Sequence, residues 1–235
     1  MISLDERNRP TIINVVRLEI GDMRVIAGKV EMGSVERRER EREEIRKKIL
    51  DAARELFASE GYDHVTMRRI AEAIEYSPTT IYNHFEDKDD LVQSLCEEDF
   101  ARLLSFLKRQ PPAASAVDFI RQLGLAYARF ALEYPNHYRF MFMTPNRFEK
   151  PKGAGTPGEQ AFGLARMAAE KGLASGQFTG ASVDTMAQVF WASLHGAVAL
   201  LITHRPEQWP SVPPALDLVE QVVENTIRGF LKKEP

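Results

Sequence analysis

The chain of 235 residues has little cysteine, no long uninterrupted apolar run and no excess of positive charge. Its single cysteine, Cys96, excludes an internal disulfide and fits a reducing compartment. The longest nearly apolar run, Ala187 to Ile202, contains polar residues and is shorter than the roughly 20 residues of a membrane helix, so we expect no membrane partner. The first residues lack a signal-peptide core, which predicts a cytoplasmic protein.

Patterns of catalytic and metal-binding residues are also missing. The five histidines and Cys96 show no pair at metal-ligand spacing, and no nucleophile elbow or Walker lysine is present. Gly153, Gly155 and Gly158 match GxGxxG, but no strand precedes them and Pro157 lies inside, so we interpret them as a loop. We therefore expect no enzyme, no metal and no cofactor.

The composition is that of an ordinary soluble globular chain. Apolar residues make up 44% and charged residues 28%, which excludes disordered and collagenous classes. The 31 basic and 34 acidic residues give a net charge of −3, so bulk attraction cannot hold nucleic acid. Any contact with nucleic acid must come from a local face of the protein.

The N-terminal residues differ from the rest of the chain. Residues 11–31 contain two β-branched runs around Gly21-Asp22, which predict a hairpin, although two strands alone are marginal in water. Met32-Gly33-Ser34 resembles a second start, so residues 1–31 are either a loosely attached extension or a miscalled start. We predict an N-terminal extension over residues 1–33, formed by a short β-hairpin or disordered.

From Ser34 onward the sequence predicts an all-α protein. Apolar residues recur three and four apart, and proline and glycine mark the breaks. Thr66, Ser77 and Asp87 are predicted N-caps, and Gly61 a left-handed end of the first helix. The later helices are predicted over residues 66–74, 77–85, 87–107, up to Pro135, around Tyr138, and over 159–175, 182–204 and 214–232.

Residues 66–85 contain two helices that are too short to stand alone, joined at Glu75-Tyr76. Packed on the preceding long helix, they form a compact unit with one exposed helix. A helix fits the ~12 Å major groove of DNA, so this arrangement favours a helix-turn-helix reader. The apolar residues expected to make that packing are Ile70, Ala73, Ile74, Ile81 and Phe85.

The run ILDAARELFASEGYDHVTMRRIAEAIEYSPTTIYNHFEDKDDL resembles the DNA-binding domain of the tetracycline-repressor (TetR) family. The family pattern has AA and LF in the first helix, GY before a V-T turn, IA in the second, Y-x-H-F in the third and K-x-x-L opening the fourth. The family usually has glycine in the turn, where this chain has Glu75. A left-handed Glu75 would cost on the order of 1 kcal/mol.

The resemblance implies a three-helix DNA-binding domain over residues 34–90. Thr66, Tyr82, His84 and Lys88 would contact phosphate. The N-terminal part and outer face of the third helix would present Pro78, Thr79 and Asn83 to base edges, where Asn pairs with adenine. Arg68 and Arg69 lie beside the Thr66 cap. The full predicted set is Thr66, Arg68, Arg69, Ser77, Pro78, Thr79, Thr80, Tyr82, Asn83, His84 and Lys88.

Charge gives these contacts limited support. Residues 34–90 hold 11 basic and 15 acidic residues, whereas residues 37–48 hold seven basic and four acidic. The latter segment is a candidate arm for backbone or minor-groove contact. A solvated, salt-bridged helix face explains it equally well.

The resemblance also implies a helical ligand-binding and dimerisation domain over residues 91–235. WASLHG at Trp191 to Gly196 and NHYRFMF at Asn136 to Phe142 resemble a Trp-His-Gly subgroup of the family. Tyr127, Trp191 and His195 stand out because buried polar tips need partners. Most aromatic and methionine residues at helical spacing are better explained as core. The ligand-binding candidates are Leu123, Tyr127, Phe130, Tyr138, Met141, Phe162, Met167, Phe190, Trp191 and His195.

Together these features predict a ligand-responsive, DNA-binding transcriptional regulator. We expect a repressor released from a double-stranded palindromic operator by a small apolar or aromatic effector. A homodimer through the last two helices would place two recognition helices about 34 Å apart, or a multiple of that. The acidic reader and Glu75 leave an alternative open: a helical small-molecule-binding or interaction protein without operator-specific DNA binding.

Overall fold

A computed structural model describes residues 20–143, 155–180, 182–204 and 214–232, with side chains described from residue 33. Within these ranges the chain is helical, apart from a 3-10 turn at Tyr62–His64 and one antiparallel bridge between Phe178 and Leu231. This confirms the all-α prediction. The described helices are α1 (Ile20–Glu60), α2 (Met67–Ala73), α3 (Pro78–Tyr82), α4 (Lys88–Lys108), α5 (Ala116–Glu133), α6 (Pro135–Met143), α7 (Pro157–Ala174), α8 (Val183–Thr203) and α9 (Ala215–Phe230).

The predicted hairpin is wrong where the structure describes it. The second β-branched run lies in helix α1, which begins at Ile20, while the first run lies outside the described residues. A two-stranded ribbon has no third strand to cover it. Each residue added to an existing helix, in contrast, gains a backbone hydrogen bond without a new nucleus. The idea of a miscalled start stays a hypothesis.

Contacts divide the chain into two units, Met1–Lys47 and Lys48–Pro235. The predicted domain borders at residues 33 and 90 stay predictions. In the first unit the described side chains are nearly all exposed, and Arg37 pairs with Glu41 at 3.7 Å, one helical turn away. Exposed pairs of this kind contribute only a few tenths of a kcal/mol. This pair agrees with the interpretation of the segment as a salt-bridged helix face.

Three predicted N-caps of the reader helices are confirmed. Thr66 Oγ1 accepts from the backbone N–H of Arg69 at 3.1 Å, and Ser77 Oγ accepts from Thr80 at 3.2 Å. Asp87 caps α4 in the same way. A side-chain cap satisfies a backbone donor that the first turn leaves unpaired. The caps therefore define where the three helices start.

The core of the reader is close to the predicted one, with two differences. Ile70, Ile81 and Phe85 are fully buried or nearly so. Ala73, however, is exposed and Ile74 is only half-buried, because α2 ends there and its last turn leaves the core. Helix α3 ends at Tyr82 rather than Phe85. Beyond it, the N–H groups of His84 and Phe85 both donate to the carbonyl of Ile81.

Glu75 has the left-handed conformation that the turn requires, with φ of 60°. The N–H of Tyr76 donates to the carbonyl of Ala71 at 3.0 Å, which closes α2. This six-to-one bond is the Schellman ending of a helix, whose left-handed position usually holds glycine. The chain therefore carries backbone strain between α2 and α3.

Helices α4 to α9 surround one apolar core with α5 near its centre. Gly124 of α5 permits a close approach of two helices, since a Cβ there would lie 2.7 Å from Val223 of α9 and 3.0 Å from Phe190 of α8. Ser115 caps α5, and Thr156 caps α7 through a capping box with Glu159. The packing of these helices leaves the cavity described below.

Among the described helices, α8 alone is long and apolar enough to cross a bilayer. One of its faces holds Met186, Phe190, Leu194 and Val198, all buried in the core. Core helices of soluble proteins pass the same test of length and composition, so this feature is weak evidence for a membrane span.

Candidate DNA-binding surface and ligand cavity

The outer face of α3 carries the predicted base-reading residues. Pro78, Thr79, Tyr82 and Asn83 are exposed, whereas Ile81 is fully buried. Helical spacing places the four exposed residues on one side of the rod, and Ile81 anchors the other side. Tyr82 is 55% exposed although it is a large aromatic residue. Helix α3 is therefore anchored to the core by Ile81 on one side and exposes its opposite side to solvent.

Hydroxyl groups at the helix starts are already ordered. Ser77 Oγ lies 3.0 Å from Thr80 Oγ1, and Thr66 Oγ1 holds the start of α2. Exposed N–H groups at a helix start favour an anion such as phosphate. Thr66, Ser77 and the half-buried Thr80 lie at or next to these helix starts, and their contact with phosphate stays a prediction.

The cationic residues predicted for this surface have intramolecular partners. Arg68 pairs with Glu72 at 3.1 Å, and Arg69 pairs with Glu60 at 2.8 Å. The Arg68–Glu72 pair is largely exposed and the Arg69–Glu60 side chains are 44% and 35% exposed, and solvent-screened pairs of this kind contribute little. A phosphate group can therefore replace the carboxylate without a large loss of stability.

Lys88 lies at the start of α4 and is half-buried. Its Nζ donates to the carbonyl of Tyr62 and lies 3.8 Å from the centroid of the Tyr62 ring. The hydroxyl of Tyr62 donates to Asp89 at 2.8 Å. An ammonium has three N–H donors, so Lys88 can order this loop and still meet a phosphate. His84 is half-buried, with its ring 6.4 Å from that of Phe85.

A buried ion network that the sequence analysis missed joins α1, α4 and α6. Asp99 of α4 is fully buried and accepts from Nε of Arg54 at 3.0 Å, and His137 Nδ1 of α6 lies 2.8 Å from the same carboxylate. Burial opposes the charge of Arg54, but hydrogen bonds to Asp99 and Asp51 outweigh it and raise the pKa of Arg54. The sequence contains a sign of this network, because Asp99 lies at helical spacing between the buried Leu95 and Leu103 of α4. A carboxylate in such a position needs a buried partner.

A cavity of about 600 Å³ lies among α4, α5, α6, α7 and α8. Six of the ten predicted ligand-binding residues line it: Leu123, Tyr127, Met141, Phe162, Phe190 and Trp191. Four do not. Phe130 is fully buried in the core, Tyr138 lies fully buried behind Tyr127, Met167 is 37% exposed, and His195 is half-buried beside Trp191.

The sequence analysis also missed part of the lining. It assigned no lining residue to α4, and it interpreted the glycine-containing segment before α7 as a loop. Both segments contribute to the wall because α4 packs on α7. The missed lining residues are Gln93, Cys96, Glu97, Phe100, Leu103, Leu107, Phe142, Thr156, Pro157, Gly158, Glu159, Ala161, Ala165, Gln188 and Leu194.

Tyr127, Tyr138 and His195 form a hydrogen-bonded cluster at the wall of the cavity. The hydroxyls of Tyr127 and Tyr138 lie 3.3 and 2.5 Å from Nδ1 of His195, and 3.2 Å from each other. Burial lowers the pKa of His195 and raises the pKa of both tyrosines. The cluster is therefore neutral near pH 7. Tyr127 and His195, whose polar groups were expected to need a ligand, hydrogen-bond within this cluster instead.

An exposed helix on a three-helix unit, together with an apolar cavity in a second helical bundle, is typical of a helix-turn-helix regulator. A model of tetR-family bacterial regulatory proteins matches residues 49–95, and a model of the tetracyclin repressor-like C-terminal domain matches residues 120–226. The two models together span more than half of the sequence. The chain belongs to the TetR family. The Trp-His-Gly subgroup stays a prediction.

Named relatives resemble the reader. The chain is 45% identical over 65 residues to the HTH-type transcriptional repressor Rv1474c of Mycobacterium tuberculosis, covering 28% of this chain and 35% of that protein. It is 45% identical over 58 residues to the repressor AcnR of Corynebacterium glutamicum, covering 25% and 31%. The match thus spans about a third of these relatives.

Solved structures resemble the fold over a larger share of the chain. A bacterial regulatory protein in the tetR family from Rhodococcus RHA1 has a TM-score of 0.67 at 19% identity, covering 80% of this chain and 98% of that one. At this identity the likeness concerns the fold alone.

Proposed function

We propose that this protein is a dimeric transcriptional repressor that binds a palindromic operator and releases it when a small molecule enters the cavity. One observation carries the DNA-binding part: the outer face of α3 exposes Pro78, Thr79, Tyr82 and Asn83 while Ile81 holds the helix from behind. The exposed hydroxyl of Tyr82 and the exposed amide of Asn83 suit contacts to phosphate and to base edges. Named repressors among the relatives of the reader support this proposal.

The direct test is a band shift with the DNA that flanks the protein's own gene, followed by a footprint. We expect a protected palindrome whose half-sites lie one helical turn or a multiple apart. Asn83→Ala should relax the preference at one base position, whereas Lys88→Ala should weaken binding evenly and reduce the salt slope by roughly one. Failure to shift this DNA at low salt would favour a ligand-binding protein without operator specificity.

Dimerisation through α8 and α9 is the second part of the proposal. The faces of these helices that point away from the core expose Val189, Leu200 and Leu216 at 45%, 42% and 40%. Gly196 lies on the same side of α8, and outside its own helical turn no atom of the described residues lies within 4 Å of where its Cβ would be, so another helix can approach closely. Sedimentation should give a dimer. Leu200→Glu should give a folded monomer, since it adds charge to the face without touching the core.

The buried Asp99 network offers a path for coupling. Asp99 bonds Arg54 in the helix that supports the reader, and the next residue along α4, Phe100, lines the cavity. His137 bonds the same carboxylate, and Met141 lines the cavity one helical turn further along α6. A ligand that shifts α4 would move the Asp99 partner of Arg54, and one that shifts α6 would move the His137 partner of the same carboxylate. A differential affinity of a few kcal/mol between two states suffices for release.

Operator binding requires access to DNA, so we place the protein in the cytoplasm. The proposal keeps the predicted partition into a reader over residues 34–90 and a ligand-binding and dimerisation region over residues 91–235. It includes no catalytic step. The described residues contain no group of histidine, cysteine and acidic side chains that could hold a metal ion.

A further inference from the structure

The charge around the cavity is one-sided. Among the described residues that line it, Glu97 and Glu159 are acidic, and none is lysine, arginine or histidine. The carboxylate of Glu159 accepts from the N–H groups of Gly155 and Thr156 at the start of α7. The exposed Glu97 accepts a neutral amide, since Oε1 lies 3.1 Å from Nε2 of Gln93. The described wall therefore offers an anionic ligand no ion-pair partner, whereas it offers a cation a carboxylate.

Aromatic rings form a connected wall next to these carboxylates. Phe142 lies 5.6 Å from Phe100, 6.0 Å from Tyr127 and 6.1 Å from Trp191, measured between ring centroids, and Trp191 lies 6.5 Å from Phe162. All five residues line the cavity. The face of an aromatic ring carries negative charge density, so a group of rings attracts a positively charged nitrogen.

The polar groups beside the rings add no opposing positive charge. The His195 ring lies 5.4 Å from Trp191, and burial lowers the pKa of His195, so the imidazole is neutral near pH 7. The hydroxyl of Tyr127 bonds Tyr138 and stays protonated, because burial raises its pKa. Among the described lining residues, the aromatic wall therefore has no competing cation beside it.

We propose that the cavity binds an apolar molecule that carries a positively charged nitrogen, such as an amphiphilic amine or a quaternary ammonium compound. The nitrogen lies near Glu97 and Phe100, which are neighbours on one face of α4, and the apolar part extends toward Leu123 and Leu194. This inference rests on the proposed function, because it names the chemical class of the effector. A free carboxylate or phosphate would lose its hydration without gaining a cationic partner.

The test compares three probes of equal chain length below their micelle concentrations: n-decyltrimethylammonium, n-decanoate and n-decanol. Calorimetry on the full chain without DNA should show the ammonium compound binding at least roughly tenfold more tightly than either other probe. A smaller preference, a preference for decanoate, or no binding of any probe would overturn the proposal.

Matched variants locate the charge selectivity. Glu97→Gln should weaken binding of the ammonium probe about fivefold and leave decanol unchanged, since it removes one nearby charge. Glu98→Gln is the control, because it makes the same change in net charge on the same helix at a residue that does not line the cavity. Equal affinities of the two variants for the ammonium probe would overturn the assignment of Glu97.

The two proposals can fail separately. A protein that binds no DNA but prefers the ammonium probe would retain this inference and lose the proposed function. A protein that shifts its operator but binds decanoate best would retain the function and lose the inference.

Discussion

The DNA-binding surface and the cavity are built in opposite ways. The surface uses residues from Thr66 to Lys88, most of them exposed, and its caps are held by neighbours three residues away. The cavity uses residues from Gln93 to Leu194 on five helices, and its wall is mostly apolar. A surface of the first kind can change its ligand contacts without changing its fold. A wall of the second kind is part of the core, so changes in and around it affect stability as well as binding.

The largest expected effect concerns the buried carboxylate behind the cavity. Asp99→Ala should lower the free energy of unfolding by about 3–5 kcal/mol, because it leaves the buried guanidinium of Arg54 without its main partner. Urea unfolding at pH 7 measures this. Glu98→Gln on the same helix should change stability by less than about 0.5 kcal/mol. A comparably small effect of Asp99→Ala would mean that the network does not order α1 against α4.

The next prediction concerns the opposite region. Tyr82→Phe should weaken operator binding by about 1.5–3 kcal/mol, or tenfold to a hundredfold, if the hydroxyl donates to phosphate. It should leave the free energy of unfolding within about 0.5 kcal/mol, since Tyr82 is 55% exposed. Band shifts and urea unfolding of the same preparation give both numbers. Loss of stability without loss of DNA affinity would show that the ring belongs to the core.

The contrast also explains what the sequence could predict. The caps at Thr66, Ser77 and Asp87 were predicted residue by residue, because each depends on neighbours along the chain. The cavity depends on which faces of distant helices meet, so only part of its lining was predicted. Phe130 and Trp191 have the same kind of sequence pattern, but only the packing decides that Phe130 lies in the core and Trp191 at the cavity wall.

The sequence analysis predicted a hairpin wrongly and missed the buried Asp99, and in each case a preference of single residues was misleading. The β-branched residues after Gly21 favour a strand locally, but they continue helix α1. Asp99 looked like one more charged residue of α4, but it is fully buried because Arg54 and His137 meet it from two other helices. In the first case continuation of an existing helix outweighs the local strand preference, and in the second the buried partners outweigh the usual exposure of a charged residue.

A smaller effect is expected at the turn of the reader. Glu75→Gly should raise the free energy of unfolding by about 0.5–1 kcal/mol, because φ of 60° is strained for glutamate and free for glycine. The matched control is Glu72→Gly, which places the same change inside α2 and should destabilise by about 1 kcal/mol. Thermal unfolding of both variants measures the difference. Equal signs for the two would argue against strain at Glu75.

The smallest expected effect concerns a half-exposed ion pair between α5 and α9. Arg121 Nη2 donates to Glu224 at 3.2 Å, and this hydrogen bonding lowers the pKa of Glu224 below its ordinary value of 4.5. A lowered pKa stabilises the fold above pH 4.5, and the contribution disappears as the pH falls through the lowered value. Glu224→Gln should therefore cost less than about 1 kcal/mol at pH 7.

The dependence of that cost on pH separates the ion pair from simple packing. The difference in unfolding free energy between Glu224→Gln and the parent should shrink below pH 4.5, because protonation removes the charge from the parent as well. Glu220→Gln, on the exposed side of the same helix, is the control and should show no such trend. A difference that stays constant down to low pH would instead assign the effect to the packing of α9 on α5. Charge would then matter for stability mainly at the fully buried Asp99.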